Sequence, residues 1–173
     1  MFPLLLFFWF QFSAQTIQHT PPIEEDSYTV YIFLSEDCPI CRYYVLEINR
    51  LYEEHHSDNI EFVGVFPNFS SKENKIEAFV ADYKLKIPTK TDYFKSLAQK
   101  LDAELTPEVF VVNQHEEVLY RGRIDNSYAS IGKRRRVVTE HDLDNYLSAL
   151  KTGTVNKSKT EAIGCYIHFS DFN

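Results

Sequence analysis

The sequence has little cysteine and fewer basic than acidic side chains. Only three of its 173 residues are cysteine, which excludes a disulfide-stapled miniprotein. The 18 lysines and arginines are outnumbered by 25 aspartates and glutamates, giving a formal charge of −7, which argues against a general binder of nucleic-acid backbones. With 44% hydrophobic residues, the composition is that of one globular domain with a core. No stretch indicates a nucleotide, flavin or haem site, so we expect no cofactor.

Charge is also missing from the N-terminus, where no charged side chain precedes Glu24. The apolar run 2–10 is too short to span a membrane, which takes about 20 residues, but it has the length of the hydrophobic region of a signal peptide. We therefore predict that residues 1–15 are a signal peptide, with an uncleaved anchor or a buried strand as alternatives. Residues 16–27, which contain paired prolines, are predicted to be a linker.

Export to a periplasmic or secreted location would place the cysteines in an oxidising compartment. Beyond run 2–10, no stretch is long and apolar enough to span a bilayer. We therefore expect contact with a membrane only through an uncleaved leader.

Strand and helix patterns alternate over residues 28–152, which we predict to be one domain, followed by a tail at 153–173. Runs of β-branched and aromatic residues predict strands. These strands are 28–34, 60–66, 109–112 and 118–124, the last two forming a hairpin, with a short extended piece at 88–91. Alternation of strands with helices implies parallel pairing, and the hairpin adds an antiparallel edge. The predicted fold is α/β, a mixed central sheet with helices on both faces.

Four helices are predicted from apolar residues at helical spacing. The first begins near Pro39, the second contains Ile76, Phe79, Val80 and Tyr83, and the third contains Phe94, Leu97, Ala98 and Leu101. The last is predicted to begin with Thr139 as N-cap and to stop at Gly153. A basic loop is predicted at 133–136.

Two cysteines, Cys38 and Cys41, lie three residues apart at the junction of the first strand and first helix. The unpaired N–H groups and positive dipole end of a helix N-terminus stabilise a thiolate, which is the reactive form of cysteine. Pro39 stiffens the first turn without losing a needed hydrogen bond. The predicted chemistry is thiol-disulfide exchange, with Cys38 as nucleophile and Cys41 as the thiol that resolves the mixed disulfide. Half of a zinc site, a structural disulfide and two independent thiols are the alternatives.

The chain resembles thioredoxin-fold proteins of the redoxin group, the alkyl hydroperoxide reductase/thiol-specific antioxidant superfamily with its TlpA-like thiol-disulfide oxidoreductases. The resemblance is carried by FLSEDCPICRYY at 33–44, LTPEVFVVN at 105–113 and VLYRGRIDN at 118–126. It implies a thioredoxin-like fold with a redoxin-type β-α insertion, protein disulfides as substrates and an upstream thiol protein as electron donor.

The resemblance also implies roles for Thr106 and Pro107. In that fold the matching proline is cis and faces the cysteine pair, and the backbone beside it pairs with a substrate chain. Pro39 and Thr106 are expected to support the site.

Several positions depart from the relatives. Asp37 precedes the first cysteine where thioredoxins have tryptophan, and Tyr44 stands where many TlpA-like proteins have glutamate. Ile32 replaces the buried acid of thioredoxins, so the proton relay is unassigned. Glu36 and Asp37 are expected to oppose thiolate formation, weakly if they are exposed.

A thiol peroxidase of the peroxiredoxin type is one alternative function. Its motif P-x-x-x-T/S-x-x-C is met by Ser35 and Cys38, but Tyr31 replaces the proline. Arg42 and Arg121 are the candidates for the helper arginine of that family.

A copper-binding protein is the second alternative, with Cys38, Cys41 and His168 as ligands. Cys165, in the tail, is a candidate extra thiol. It could be a resolving thiol, a site of intermolecular disulfide formation, or a small buried residue.

Overall fold

The computed structural model describes residues 26–154 and 156–169. The predicted leader at 1–15 and most of the predicted linker lie outside the described residues. Within the described ranges, no helix has both the length and the apolar character that crossing a bilayer requires.

Four helices and ten strands follow one another along the described chain. The helices are α1 (Pro39–His55), α2 (Glu73–Tyr83), α3 (Ser96–Leu101) and α4 (Asp142–Lys151). The longer strands are β1 (Tyr28–Phe33), β2 (Ile60–Phe66), β5 (Glu108–Asn113) and β6 (Val118–Gly122). The shorter strands are β3 (Thr89–Thr91), β4 (Leu105–Thr106), β7 (Tyr128–Ser130), β8 (Lys133–Arg134), β9 (Ser158–Lys159) and β10 (Cys165–Tyr166).

The main sheet has six strands in the order β3-β2-β1-β5-β6-β9. Strand β1 pairs with β2 in parallel and with β5 in antiparallel orientation, and β5 and β6 form the predicted hairpin. This confirms the mixed central sheet. Two pairs lie apart from it, β7 with β8 and β4 with β10.

Alternate residues of β1 face opposite sides of the sheet, as the pleat requires. Val30 and Ile32 belong to the larger core cluster, which also holds the apolar faces of α1, α2 and α4. Phe33 belongs to the smaller cluster, where Ala98 and Leu101 of α3 cover the other face. Helices therefore lie on both faces, as predicted.

Helix α3 is shorter than the sequence pattern predicts. The carboxylate of Asp92 accepts hydrogen bonds from the backbone N–H groups of Leu97 and Ala98, at 3.2 and 2.8 Å. Because this side chain caps the helix, the first turn forms after it, at Ser96. Phe94 is 70% exposed and precedes the helix, so its assignment to the helical face was wrong.

The predicted N-cap of the last helix was also wrong. Helix α4 begins at Asp142, and Thr139 is instead held by Asn126, which accepts its N–H at 3.0 Å and donates to its hydroxyl at 2.8 Å. These bonds place Thr139 in the connection before the helix. The predicted stop is confirmed, because Gly153 takes φ +69° and donates its N–H to Leu150 O at 3.1 Å.

Two further elements of the C-terminal half of the chain differ from the prediction, the basic segment 133–136 and strand β6. Lys133–Arg134 pairs with Tyr128–Ser130 as a small hairpin, so the basic segment is not wholly a loop. Strand β6 ends at Gly122, where φ is +149° and a Cβ would lie 2.1 Å from the Thr160 hydroxyl. The close approach of Thr160 explains why the strand stops before Ile124.

Candidate active site

The junction of β1 and α1 places Cys38 at the N-terminus of the longest helix. The chain leaves the sheet after Phe33, and the N–H of Cys38 donates to Ser35 O at 3.2 Å. Cys38 is the N-cap of α1 with extended backbone, and Pro39 is the first helical residue. Proline fits there because its missing N–H would have no partner in the first turn. Cys41 follows one turn later on the inward face.

Cys41 is the buried member of the pair. Its side chain is 0% exposed, and its sulfur accepts a hydrogen bond from the backbone N–H of Ser35 at 3.4 Å. Burial raises the pKa of the Cys41 thiol well above its usual value, and the neighbouring Cys38 sulfur raises it further. Cys41 is therefore a protonated thiol that donates to Cys38.

The pKa of Cys38 is shifted in the opposite direction. A hydrogen bond from the Cys41 thiol is the largest cause that lowers the pKa of Cys38 to about 5, and it outweighs the effect of burial. The Cys165 thiol and the backbone N–H groups of Cys41 and Ile40 contribute in the same direction. At neutral pH the site therefore holds a thiolate at Cys38 beside a neutral thiol at Cys41.

The two acids before Cys38 differ in exposure. Asp37 is exposed, but Glu36 is only 6% exposed and its carboxylate accepts a hydrogen bond from the Ser71 hydroxyl at 2.5 Å. The condition for a weak effect, exposure to solvent, is therefore met by Asp37 and not by Glu36. Lys75 lies 3.9 Å from the same carboxylate and offsets part of its charge.

Thr106 and Pro107 lie directly across from the cysteine pair. The peptide bond between them is cis. The neutral Cys38 thiol donates to Thr106 O at 3.2 Å, and the Thr106 hydroxyl lies against Cys41. The structure therefore brings together Cys38, Cys41, Thr106 and Pro107, four of the residues singled out from the sequence.

The third cysteine also lies in this site. In the antiparallel pair of β10 and β4, Cys165 stands opposite Thr106, whose hydroxyl donates to Cys165 O at 3.4 Å. Burial is the first cause that raises the pKa of Cys165, to about 12, and the neighbouring Cys38 raises it further. The backbone edge that the resemblance assigns to a substrate chain is thus occupied by the tail of this chain.

A cavity of about 410 Å³ opens beside the cysteines. Its walls include Cys38, Cys165 and His168 together with the 68–70 loop. Cys38 itself is only 2% exposed. The cavity therefore borders the reacting sulfur on one side, and the pairing of β10 with Thr106 borders it on another.

A tyrosine-carboxylate contact supports the site and was missed from the sequence. The Tyr44 hydroxyl donates to Asp125 Oδ1 at 2.7 Å, and the N–H of Ser127 donates to the same oxygen at 2.7 Å. Both side chains line the small pocket that contains Pro107. In the sequence, Tyr44 stands out only because many relatives have glutamate at this position. No spacing in the sequence links it to Asp125, which is 81 residues away.

The two candidate helper arginines have other partners. The Arg42 guanidinium donates to Glu36 O at 3.0 and 2.8 Å. Arg121 binds the carboxylates of Glu108 and Asp102, at 2.7 and 3.0 Å. Both guanidinium groups are therefore held by groups other than the Cys38 sulfur.

The three side chains considered as copper ligands are not assembled as a group. Two clusters of three ligand-type side chains lie within 4.8 Å in residues 26–154 and 156–169, and neither contains Cys38, Cys41 or His168. His168 shares the cavity with Cys38, but a third ligand atom does not join them.

Comparison with known proteins gives a family match and structural neighbours. The model of the family described as Redoxin matches residues 20–145. An uncharacterized conserved protein from Geobacillus kaustophilus is 22% identical, with a TM-score of 0.74 over 85% of this chain and 79% of its own. A hypothetical protein from Sinorhizobium meliloti is also 22% identical, with a TM-score of 0.68 over 83% and 80%.

A secreted disulfide oxidoreductase from Mycobacterium tuberculosis, homologous to E. coli DsbE, is a more distant neighbour. It is 14% identical, with a TM-score of 0.50 over 71% of this chain and 81% of its own. The comparison with curated proteins gives no match. Such identities show a shared fold, which is the thioredoxin-like fold predicted from the sequence.

Proposed function

The chain belongs to the Redoxin family, and on that premise we propose that it is a thiol-disulfide oxidoreductase that reduces protein disulfides with the Cys38–Cys41 pair. The observation that carries the proposal is the placement of the pair, with Cys38 as the N-cap of α1, Cys41 buried one turn later and the cis Thr106–Pro107 bond beside them. The pKa of Cys38, lowered to about 5, and that of Cys41, raised by burial, agree with these roles. The nucleophile Cys38 and the resolving thiol Cys41 then lie one helical turn apart.

The reaction proceeds in two exchanges. The Cys38 thiolate attacks one sulfur of the substrate disulfide, the substrate S–S bond breaks, and the other substrate sulfur leaves as a thiolate that takes a proton. Cys41 then loses its proton, attacks Cys38 and releases the second substrate sulfur. The substrate gains two electrons and the pair becomes a disulfide, which an upstream thiol protein reduces.

The surrounding residues support this chemistry by position. Pro39 fixes the first turn of α1, and the N–H groups of Ile40 and Cys41 stabilise the thiolate. Thr106 and Pro107 face the reacting sulfur, with Thr106 O at 3.2 Å. We further propose that the protein works after export, where its substrates are oxidised proteins.

Reduction of insulin disulfides by the reduced protein tests the proposal. Cys38→Ser should lower the rate by roughly a hundredfold or more, because it removes the nucleophile. In Cys41→Ser a mixed disulfide between Cys38 and the substrate should form, and it should accumulate when Cys165→Ser is added, because Cys38 is then the one cysteine left in the chain. The variant with Cys38→Ser and Cys41→Ser is the matched control, and it should form no adduct at position 38.

Two results would count against the proposal. If both single variants keep the full rate, the Cys38–Cys41 pair does not carry the reaction. Peroxide turnover faster than disulfide reduction would favour the peroxidase alternative.

A further inference from the structure

The C-terminal strand brings a third sulfur to the reacting atoms. Cys165 stands opposite Thr106 in the β10–β4 pair, and the N–H of Ile167 donates to Glu104 O at 2.8 Å on the same edge. The Sγ atom of Cys38 lies 3.2 Å from the carbonyl oxygen of that same Thr106. Cys165 and Cys38 both line the cavity.

Gly164, the residue before Cys165, packs closely against the backbone of Thr106. A Cβ on Gly164 would lie 2.3 Å from Thr106 O and 2.7 Å from its carbonyl carbon. Both are backbone atoms, so a side chain at position 164 could not be accommodated by rotation of a neighbour. Glycine is the residue that lets the tail approach Thr106 closely enough for Cys165 to reach Cys38.

We propose that Cys165 is a third redox-active residue of this site, which attacks Cys38 to form a Cys38–Cys165 disulfide as an alternative to Cys38–Cys41. The inference rests on the proposed function, because Cys38 must first react with a disulfide. It goes beyond that function by giving the site a second resolving thiol. Cys165 lies on the cavity side of Cys38, whereas Cys41 lies on the buried side.

Resolution by Cys165 is a second thiol-disulfide exchange at Cys38. Once Cys38 carries the substrate sulfur, the Cys165 thiolate attacks Cys38 Sγ, the bond between Cys38 and the substrate breaks, and the substrate sulfur leaves and takes a proton. The substrate disulfide has then received two electrons from Cys38 and Cys165. Cys41 can next attack Cys38, which forms the Cys38–Cys41 disulfide and returns Cys165 to a thiol.

The charge on Cys38 affects the ionisation of Cys165. Burial is the first cause that raises the pKa of Cys165, and the neighbouring Cys38 with its negative charge raises it further. A mixed disulfide at Cys38 removes that charge and so removes one of these causes, while the effect of burial remains. Cys165 is also less buried than Cys41, which favours its ionisation.

The experiment treats the reduced Cys41→Ser protein with oxidised glutathione, followed by acid quenching and digestion without reductant. We expect a peptide pair joined by a Cys38–Cys165 disulfide, with loss of glutathione from Cys38. The matched control, Cys41→Ser with Cys165→Ser, should keep glutathione on Cys38. A stable glutathione adduct in both proteins overturns the inference while leaving Cys38 as the nucleophile of the proposed function.

Failure of the proposed function gives a different result. In that case neither protein acquires glutathione at Cys38. A second measurement uses the wild-type protein, quenched during oxidation by glutathione, and avoids any effect of the serine substitution on folding. The Cys38–Cys165 peptide pair should appear before Cys38–Cys41 reaches its plateau, and its absence at every time point contradicts the inference.

Discussion

Cys165 and Thr106 face each other in a two-residue antiparallel pair, and the carbonyl oxygen of Thr106 lies 3.2 Å from Cys38 Sγ. Thr106 therefore contacts both Cys38 and Cys165, whose carbonyl oxygen accepts the Thr106 hydroxyl at 3.4 Å. The backbone edge beside the cysteine pair is closed by the tail of the same chain. Access to Cys38, which is 2% exposed, depends on how firmly that tail is held.

Gly164→Ala should loosen the tail. The new methyl group would overlap the Thr106 carbonyl, and such overpacking costs about 1–3 kcal/mol. The open population of β10 should then rise roughly 5- to 150-fold. The measurement is the rate at which a bulky maleimide modifies Cys38 in the reduced protein, followed by peptide mapping.

Gly132→Ala is the control for a destabilising glycine change away from the β10–β4 pair, because its added Cβ meets no atom within 4 Å but its φ of +75° strains an alanine there. It should leave the rate at Cys38 unchanged. Equal rates in wild type and Gly164→Ala would mean that β10 does not limit access to the thiol.

Ionisation of Cys38 should be visible in a pH titration of the reduced protein. The ultraviolet absorbance of the thiolate should appear with a midpoint near pH 5, the lowered pKa of Cys38. Cys41→Ala removes the hydrogen bond that is the main cause of the lowering, so its midpoint should move up. Cys41→Ser keeps a hydroxyl donor and should move less.

The sign of the pH effect on stability follows from the same shift. The folded pKa of Cys38 lies below the unfolded value of about 8.5, so ionisation stabilises the reduced fold. This contribution is complete above the unfolded value and is lost as the pH falls through about 5. A wild-type midpoint near 8.5 would contradict the thiolate assignment.

Tyr44→Phe should destabilise the protein through Asp125. Tyr44 is 3% exposed, and its hydroxyl donates to the buried Asp125 carboxylate at 2.7 Å. Without it that oxygen keeps the N–H of Ser127 and loses one donor, which should lower the free energy of unfolding by about 1–3 kcal/mol. Urea denaturation of the reduced protein measures the change.

Tyr146→Phe is the matched control for removal of a buried hydroxyl. The Tyr146 hydroxyl has no hydrogen-bond partner among the described residues, so its loss should change the free energy of unfolding by less than about 0.5 kcal/mol. Similar effects of the two substitutions would show that the hydrogen bond from Tyr44 to Asp125 makes no specific contribution to the free energy of unfolding.

The parts of the site that sequence could predict are local. Pro39 at the first helical position and two cysteines three residues apart fix the end of α1, because capping and helical spacing depend on neighbours in the chain. The buried strand before them is likewise recognisable from its own residues, and its bounds are nearly those predicted.

The parts that sequence could not predict join distant segments. Cys165 and Thr106 are 59 residues apart, and their strands are two residues long, too short for any alternation of apolar and polar residues. Thr139 likewise matches an N-cap pattern, yet Asn126 competes for its N–H and hydroxyl. In each case a contact between distant segments determines the local structure, which the neighbouring residues alone do not specify.

The reduction potential of the Cys38–Cys41 pair separates an exchanging dithiol from an inert disulfide and from two unpaired thiols. The protein is equilibrated in thiol and disulfide buffers of stepped potential, and the Cys38–Cys41 disulfide is quantified after acid quenching. We predict one two-electron transition at a potential above about −300 mV, as for exchanging pairs. A disulfide that stays oxidised well below that potential, or thiols that never pair, would contradict thiol-disulfide exchange at this pair.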